Sequence, residues 1–313
     1  MRLLITGASG FIGRNVLVHA PRDWDIVAVY NRDLDFPAFL ERERPGRSRA
    51  VRCDLVEAAD VKALRAAAGE VDAALYLAAN GDPAASARDP IRDLQLNAVA
   101  LLTFLEHCPV PHLVFLSSGA VYDGLAGIVT PASAVHPRLP YAISKLASEQ
   151  YIRYYAERRG SPASYVNVRF FGAYGPYEAV RKITTRFLAA VARGDREFTL
   201  RGDGRNLIDF MYVEDAVDGL LGLITTVRPA RTTLDFSSGQ PSRIGELVAA
   251  MADATGSEIA IRCDGVTEEY IEFQSGDRRM ADDYGFAPRV SFDEGFARLR
   301  RFVATERDAA VRG

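Results

Sequence analysis

Tyr141 and Lys145 stand four apart in Tyr-Ala-Ile-Ser-Lys, a spacing that places both on one face of a helix. A phenol loses its proton near pH about 10, too high for a base at neutrality, and an adjacent ammonium stabilises the phenolate. The pair therefore reads as a unit that exchanges a proton with a substrate hydroxyl while a hydride leaves or arrives at the same carbon. Ser118, just past the apolar run His112–Leu116, supplies a hydroxyl to orient the reacting oxygen. A Tyr-x-x-x-Lys pair alone is weak; its place after Ser117-Ser118 and after a glycine turn gives it weight.

That turn is Gly7-Ala-Ser-Gly10-Phe11-Ile12-Gly13, between the run Leu3–Thr6 and a helical pattern. Gly7 permits the tight turn, Gly10 lets a pyrophosphate approach the helix N-terminus, and Gly13 lets helix and strand pack closely. The spacing is GxxGxxG, and the expected ligand is NAD or NADP. An acid at the end of the second strand would favour NAD. This chain has Tyr30, Asn31 and Arg32 there, so the reading leans to NADP, with Arg32 either pairing with its 2′-phosphate or serving as a solvated loop charge. Asp54 is placed to meet the adenine edge, and Ala78 and Ala79 form a small floor under the cofactor. Phe11, Ile12, Leu55 and Asn97 complete the candidate cofactor set, with Tyr141 and Lys145 at its nicotinamide end.

These residues need a scaffold. Short apolar runs at Leu3–Thr6, Ile26–Tyr30, Ala50–Cys53, Ala73–Leu77, His112–Leu116 and Ser164–Val168 alternate with helical patterns at Phe11–Ala20, Pro90–Cys108 and Tyr141–Arg159. Continuous apolar strands separated by helices predict an α/β fold with a doubly wound parallel sheet covered on both faces. After Gly172 the elements shorten and Gly-, Arg- and Asp-rich loops appear. The expected division is a nucleotide-binding domain over 1–171, rejoined by part of 207–236, and a mainly substrate-binding lobe over 172–313.

The bulk numbers exclude several classes. The 313 residues are 48% apolar and 25% charged with a formal net charge of -3, which suits a globular chain with a real core. No basic stripe with interleaved aromatics argues for nucleic acid, and no run of about 18 apolar residues argues for a membrane span. Three scattered cysteines and four scattered histidines have no ligand spacing, so no metal and no disulfide framework are expected, and a reducing cytoplasm fits.

The segments Thr6–Gly13, Leu116–Tyr122, Tyr141–Lys145, Arg169–Pro176 and Asp209–Asp215 together resemble the NAD-dependent epimerase/dehydratase family, the extended short-chain dehydrogenases that mostly act on nucleotide sugars. The resemblance runs to about Pro288. It implies a Rossmann-like domain with a small C-terminal substrate lobe, a catalytic trio of Ser118, Tyr141 and Lys145, and a homodimer through the helices near 91–107 and 141–158. Leu94, Val99, Leu101, Leu102, Leu105, Tyr151, Tyr154 and Tyr155 are the apolar and aromatic residues expected to serve that interface.

The family's 4,6-dehydratases carry Asp-Glu directly after the catalytic hydroxyl. Here Gly119-Ala120 stands, so a nucleotide-sugar C4 epimerase or 4-ketoreductase is expected and dehydration is not. Many relatives have Asn at the place of Gly172 and a phosphate-binding Arg at the place of Ile208. Arg181, Lys182, Arg205 and Arg278 are the candidate replacements for that cation, with Ser118 and Gly172 bordering the substrate. The same departures keep open a reductase of a non-nucleotide carbonyl compound. From another class, a non-catalytic NAD(P)-sensing protein would share the fold, and the complete trio argues against it.

Overall fold

The computed structural model describes residues 1–226, 231–265 and 271–312, with side chains to residue 305. Seven parallel strands form one sheet: β1 (Arg2–Thr6), β2 (Asp25–Tyr30), β3 (Ser48–Arg52), β4 (Ala73–Tyr76), β5 (His112–Ser118), β6 (Ser164–Phe170) and β7 (Arg231–Phe236). Their order is β7-β6-β5-β4-β1-β2-β3. The chain departs from β1 toward β2 on one side and returns at β4 on the other. That reversal opens a crevice at the carboxyl ends of β1 and β4, the place where such sheets bind ligands.

The strands are apolar at successive positions because both faces are covered. Leu3 and Ile5 of β1, Ala73 and Leu75 of β4 and Val114 of β5 point into one core, with Val16 and Leu17 of helix Phe11–His19 and Val217, Leu220 and Leu223 of helix Val213–Thr225. Leu4, Ala74, Tyr76, Leu113 and Phe115 point into the other. There they meet Val61 and Leu64 of helix Ala58–Ala68, Leu101, Phe104 and Leu105 of helix Ala100–His107, and Ile152 and Ala156 of helix Pro140–Arg158. A separate core around Phe187, Phe198, Tyr212, Val248, Met251 and Phe296 holds the second lobe.

Two features differ from the sequence reading. The helix expected over Pro90–Cys108 is interrupted: Pro90–Leu94 and Ala100–His107 are α-helical, and Gln95–Val99 between them is a π-turn. Such turns insert one residue into the hydrogen-bond ladder and often mark functional positions. Leu101 and Leu105, expected at a dimer face, are 0% and 5% exposed inside the sheet-facing core.

Candidate active site

The glycine turn has the geometry its sequence demands. Gly7 lies at φ +66, and a Cβ there would sit 2.8 Å from the Ala78 amide nitrogen. At Gly13 a Cβ would come within 2.6 Å of Ala8 Cα. Only glycine lets β1, β4 and the helix start converge this closely. Thr6 Oγ1 accepts from the amides of Leu77 and Ala78, tying the end of β1 to the floor after β4. Gly10 caps helix Phe11–His19 without a side-chain acceptor, and its first turn carries no acid. The amides there suit a pyrophosphate, which the positive helix end would hold.

At the adenosine end, Asn31 is partly buried and Arg32 is exposed beside the end of β2. Asp33 lies next to them, and its carboxylate is engaged at 2.6 Å by Arg14. Arg14 also donates to the Ser9 carbonyl and lies 4.2 Å over the Phe39 ring. The Asp54 carboxylate accepts from the Val56 amide, and Leu55 is buried beside it.

At the other end, Ser118 closes β5, and its hydroxyl hydrogen-bonds that of Tyr141 near the start of helix Pro140–Arg158. Ser118 Oγ also accepts from the Ala120 amide at 3.1 Å. Lys145, one turn after Tyr141, is 3% exposed, and its Nζ donates to the Leu116 carbonyl at 2.8 Å. The ammonium lies 5.9 Å from the Tyr141 ring centre and 4.9 Å from that of Phe115. Burial pulls Lys145 down to about 8, against the carboxylates of Asp93 and Glu149, which hold it up. Tyr141 is displaced upward, first by burial and further by Asp93, with the Ser118 hydroxyl opposing. The spacing predicts that the ammonium lowers Tyr141; burial raises it instead, and the Lys145 ammonium donates to a backbone carbonyl.

Asn97 sits in the π-turn. Its Oδ1 accepts from the Asn80 amide at 2.7 Å, which fixes the loop just past Ala78 and Ala79. Several residues around the trio carried no sequence signal. Asp93 is fully buried beneath Ser144, the residue preceding Lys145. Glu149, one turn past Lys145, binds Ser117 Oγ at 2.6 Å and Arg169 in a bidentate pair. Each partner is remote in sequence, so no local pattern announces them.

The substrate candidates divide. Gly172, at φ +147, faces the Phe210 ring, which a Cβ would meet at 2.7 Å. Arg181 reaches back to the loop after β4, lying 3.5 Å from both the Asp82 carboxylate and the Gly81 carbonyl. Lys182 follows it at the N-terminus of helix Ile183–Arg193, its pKa lowered by burial and by Arg181. Arg205 pairs with Asp203 on its own loop, and Arg278 pairs with Asp282 on the surface, 79% exposed. Ile208 packs on the second-lobe core in a two-stranded pairing opposite Ser242.

A nucleotide-binding sheet with a Ser-Tyr-Lys trio at the end of β5 defines a class of hydride-transferring enzyme. Residues 3–236 match the model of the NAD dependent epimerase/dehydratase family, and the chain belongs to that family. Among its curated relatives is a dTDP-glucose 4,6-dehydratase of Streptomyces griseus, 30% identical over 94% of this chain and 92% of that one. Another is a probable UDP-glucuronate 4-epimerase of Rhizobium meliloti, 27% identical over 96% of each. Among solved structures, RMD from Pseudomonas aeruginosa complexed with NADPH is 26% identical with a TM-score of 0.81, over 98% of this chain and 99% of that one. The chain is thus an NAD(P)-dependent enzyme of a nucleotide-sugar-modifying family. Among the described residues no helix is long and apolar enough to cross a membrane.

Proposed function

We propose that this enzyme moves a hydride at a ring carbon of a nucleotide sugar, as a C4 epimerase or a 4-ketoreductase, and does not eliminate water. The observation that carries this reading is the intact Ser118-Tyr141-Lys145 site followed directly by Gly119 and Ala120. Gly119 is buried against the Phe171 ring, which a Cβ would meet at 3.3 Å, so any side chain there would require that ring to give by a few tenths of an ångström. A nicotinamide bound in the crevice supplies the hydride chemistry. The chain's own residues move the proton: Ser118 holds the reacting oxygen, Tyr141 exchanges its proton, and Lys145 holds charge and the cofactor ribose beneath it. Arg181 and Lys182 are the cations best placed to meet a diphosphate, since they border the loop after β4. The test is product analysis by mass spectrometry and NMR after incubating the NAD- or NADPH-loaded protein with UDP-, dTDP-, GDP- and CDP-sugars and their 4-keto forms. A 4-keto-6-deoxy product from a hexose substrate would overturn the reading.

The apolar contacts at two substrate positions support a second reading, reduction of a non-nucleotide carbonyl. Phe210 closes over Gly172, and Ile208 and Phe210 line a cavity of about 560 Å³ in the second lobe. Calorimetry with free UDP, dTDP, GDP and CDP separates the two, because only the first reading needs a diphosphate site. NADP is proposed over NAD because Arg14 neutralises Asp33 and leaves Arg32 exposed beside it; Arg32→Asp is expected to shift preference toward NAD. A cytoplasmic location is proposed on three cysteines that are all free.

A further inference from the structure

The Asp93 carboxylate joins three elements that meet beneath the catalytic pair. It is 0% exposed. Its Oδ1 accepts from Asn97 Nδ2 at 2.7 Å, Asn80 Nδ2 at 3.2 Å and the Ser86 hydroxyl. Its Oδ2 accepts from Ser144 Oγ at 2.7 Å. Asn80 lies on the loop past the cofactor floor, Asn97 in the π-turn and Ser144 on the catalytic helix. Ser148, one turn after Ser144, shares its hydroxyl proton between the Ser144 carbonyl at 2.8 Å and the Asn97 carbonyl of the π-turn at 3.3 Å. Each of these partners is a neutral donor, and among the described residues no cation is paired with this carboxylate. A buried carboxylate of that kind exerts its field on the nearest ionisable groups, here Lys145 and Tyr141.

We infer that Asp93 is a positioning residue for the hydride-transfer site: its carboxylate seats the Lys145 turn against the cofactor floor and keeps Lys145 in its charged form. The other carboxylate facing Lys145 is Glu149, which also raises it and is itself paired with the bidentate Arg169. Asp93 is the one of the two held by neutral donors alone among the described residues. Its field raises both groups, opposing burial at Lys145 and adding to burial at Tyr141. The inference concerns only the cofactor-binding residues and stands apart from the identity of the sugar.

NADH and NADPH binding is the readout, followed by nicotinamide fluorescence from pH 6 to 10 on the purified full chain without substrate. Loss of the Lys145 charge weakens binding with an inflection near its depressed value of about 8, and Lys145→Met identifies that inflection by abolishing it. Asp93→Asn removes the charge at nearly constant shape and is expected to move the inflection to lower pH by at least about half a unit. Ser144→Ala cuts the tie to the catalytic helix but keeps the charge; it is expected to weaken binding about threefold or more with the inflection in place. A purely structural role would weaken binding equally at every pH. The inference is overturned if the inflection stays put in a folded Asp93→Asn, or moves as far in Ser144→Ala. Should Asp93→Asn lack a cooperative melt, Asp93→Ser, which leaves room for water on the donors, takes its place. Failure of both to fold would make the carboxylate a structural group only and would also overturn it.

Discussion

Glu149 and Arg169 form a bidentate ion pair inside the protein, 2.8 Å apart at the shorter contact and 3% and 5% exposed. It ties the catalytic helix to β6 one turn beyond Lys145, and Ser117 of β5 donates to the same carboxylate. Removing one member of such a pair strands the other in a dry interior, which typically costs about 3–5 kcal/mol. Arg169→Met is expected to destabilise the protein by that amount in urea unfolding, and Glu149→Leu combined with Arg169→Met to recover most of it.

Tyr141→Phe removes the hydroxyl that hydrogen-bonds Ser118, one helical turn from Lys145. The rate with any turned-over substrate is expected to fall by at least about 10²-fold, the usual share of general acid–base catalysis. NADPH binding, followed by fluorescence, is expected to survive. An unchanged rate would remove Tyr141 from proton transfer.

Asp235 on β7 ends a buried chain of contacts: Arg169 donates to Tyr122, Tyr122 donates to Asp235, and Ser275 donates to its other oxygen. Burial raises the Asp235 carboxyl from 3.8 to about 6. Between those values the folded state keeps a proton that the unfolded chain releases, so stability falls as pH rises through the window. Asp235→Asn abolishes that dependence. The wild-type melting temperature relative to the variant is expected to drop between pH 4 and pH 6, corresponding to about 2 kcal/mol in stability. Parallel melting curves across that range would contradict it.

Gly7→Ala forces a Cβ into a left-handed turn and against the Ala78 amide at 2.8 Å. Strain and overpacking together are expected to cost about 2–4 kcal/mol, and NADPH affinity is expected to fall with it. Gly194→Ala, at φ +76 with open space around its Cβ, isolates the strain component. Equal losses of cofactor affinity in the two variants would show that the close approach at Gly7 is unimportant.

Ile91, Leu94, Ile143, Tyr151 and Tyr154 are 73%, 49%, 47%, 42% and 49% exposed on two helices packed against each other. Exposed apolar and aromatic residues on two adjoining helices are the expected surface of a homodimer. Light scattering at micromolar concentration is expected to give about twice the chain mass, and Ile91→Glu with Tyr151→Glu to halve it. A monomeric wild type would refute the interface.

The turn Gly7–Gly13, the strand ending at Ser118 and the Tyr141–Lys145 step were legible from residue order because each is contained within one or two turns of chain. Backbone freedom, helical spacing and continuous apolar runs act over that distance, and the alternation of such runs with helices also specifies the parallel sheet. What tertiary structure alone decided depends on burial and on partners far away in the chain. Tyr141 is raised where spacing suggested lowering, because desolvation is a property of the closed pocket. Leu101 and Leu105 turned inward, because only the assembled helix shows which face meets the sheet. Asp93, thirteen residues from Asn80 and fifty-one from Ser144, acquires its role when three separate elements converge. A carboxylate in a sequence carries a charge; whether it is solvated, paired or held by four neutral donors is settled by packing.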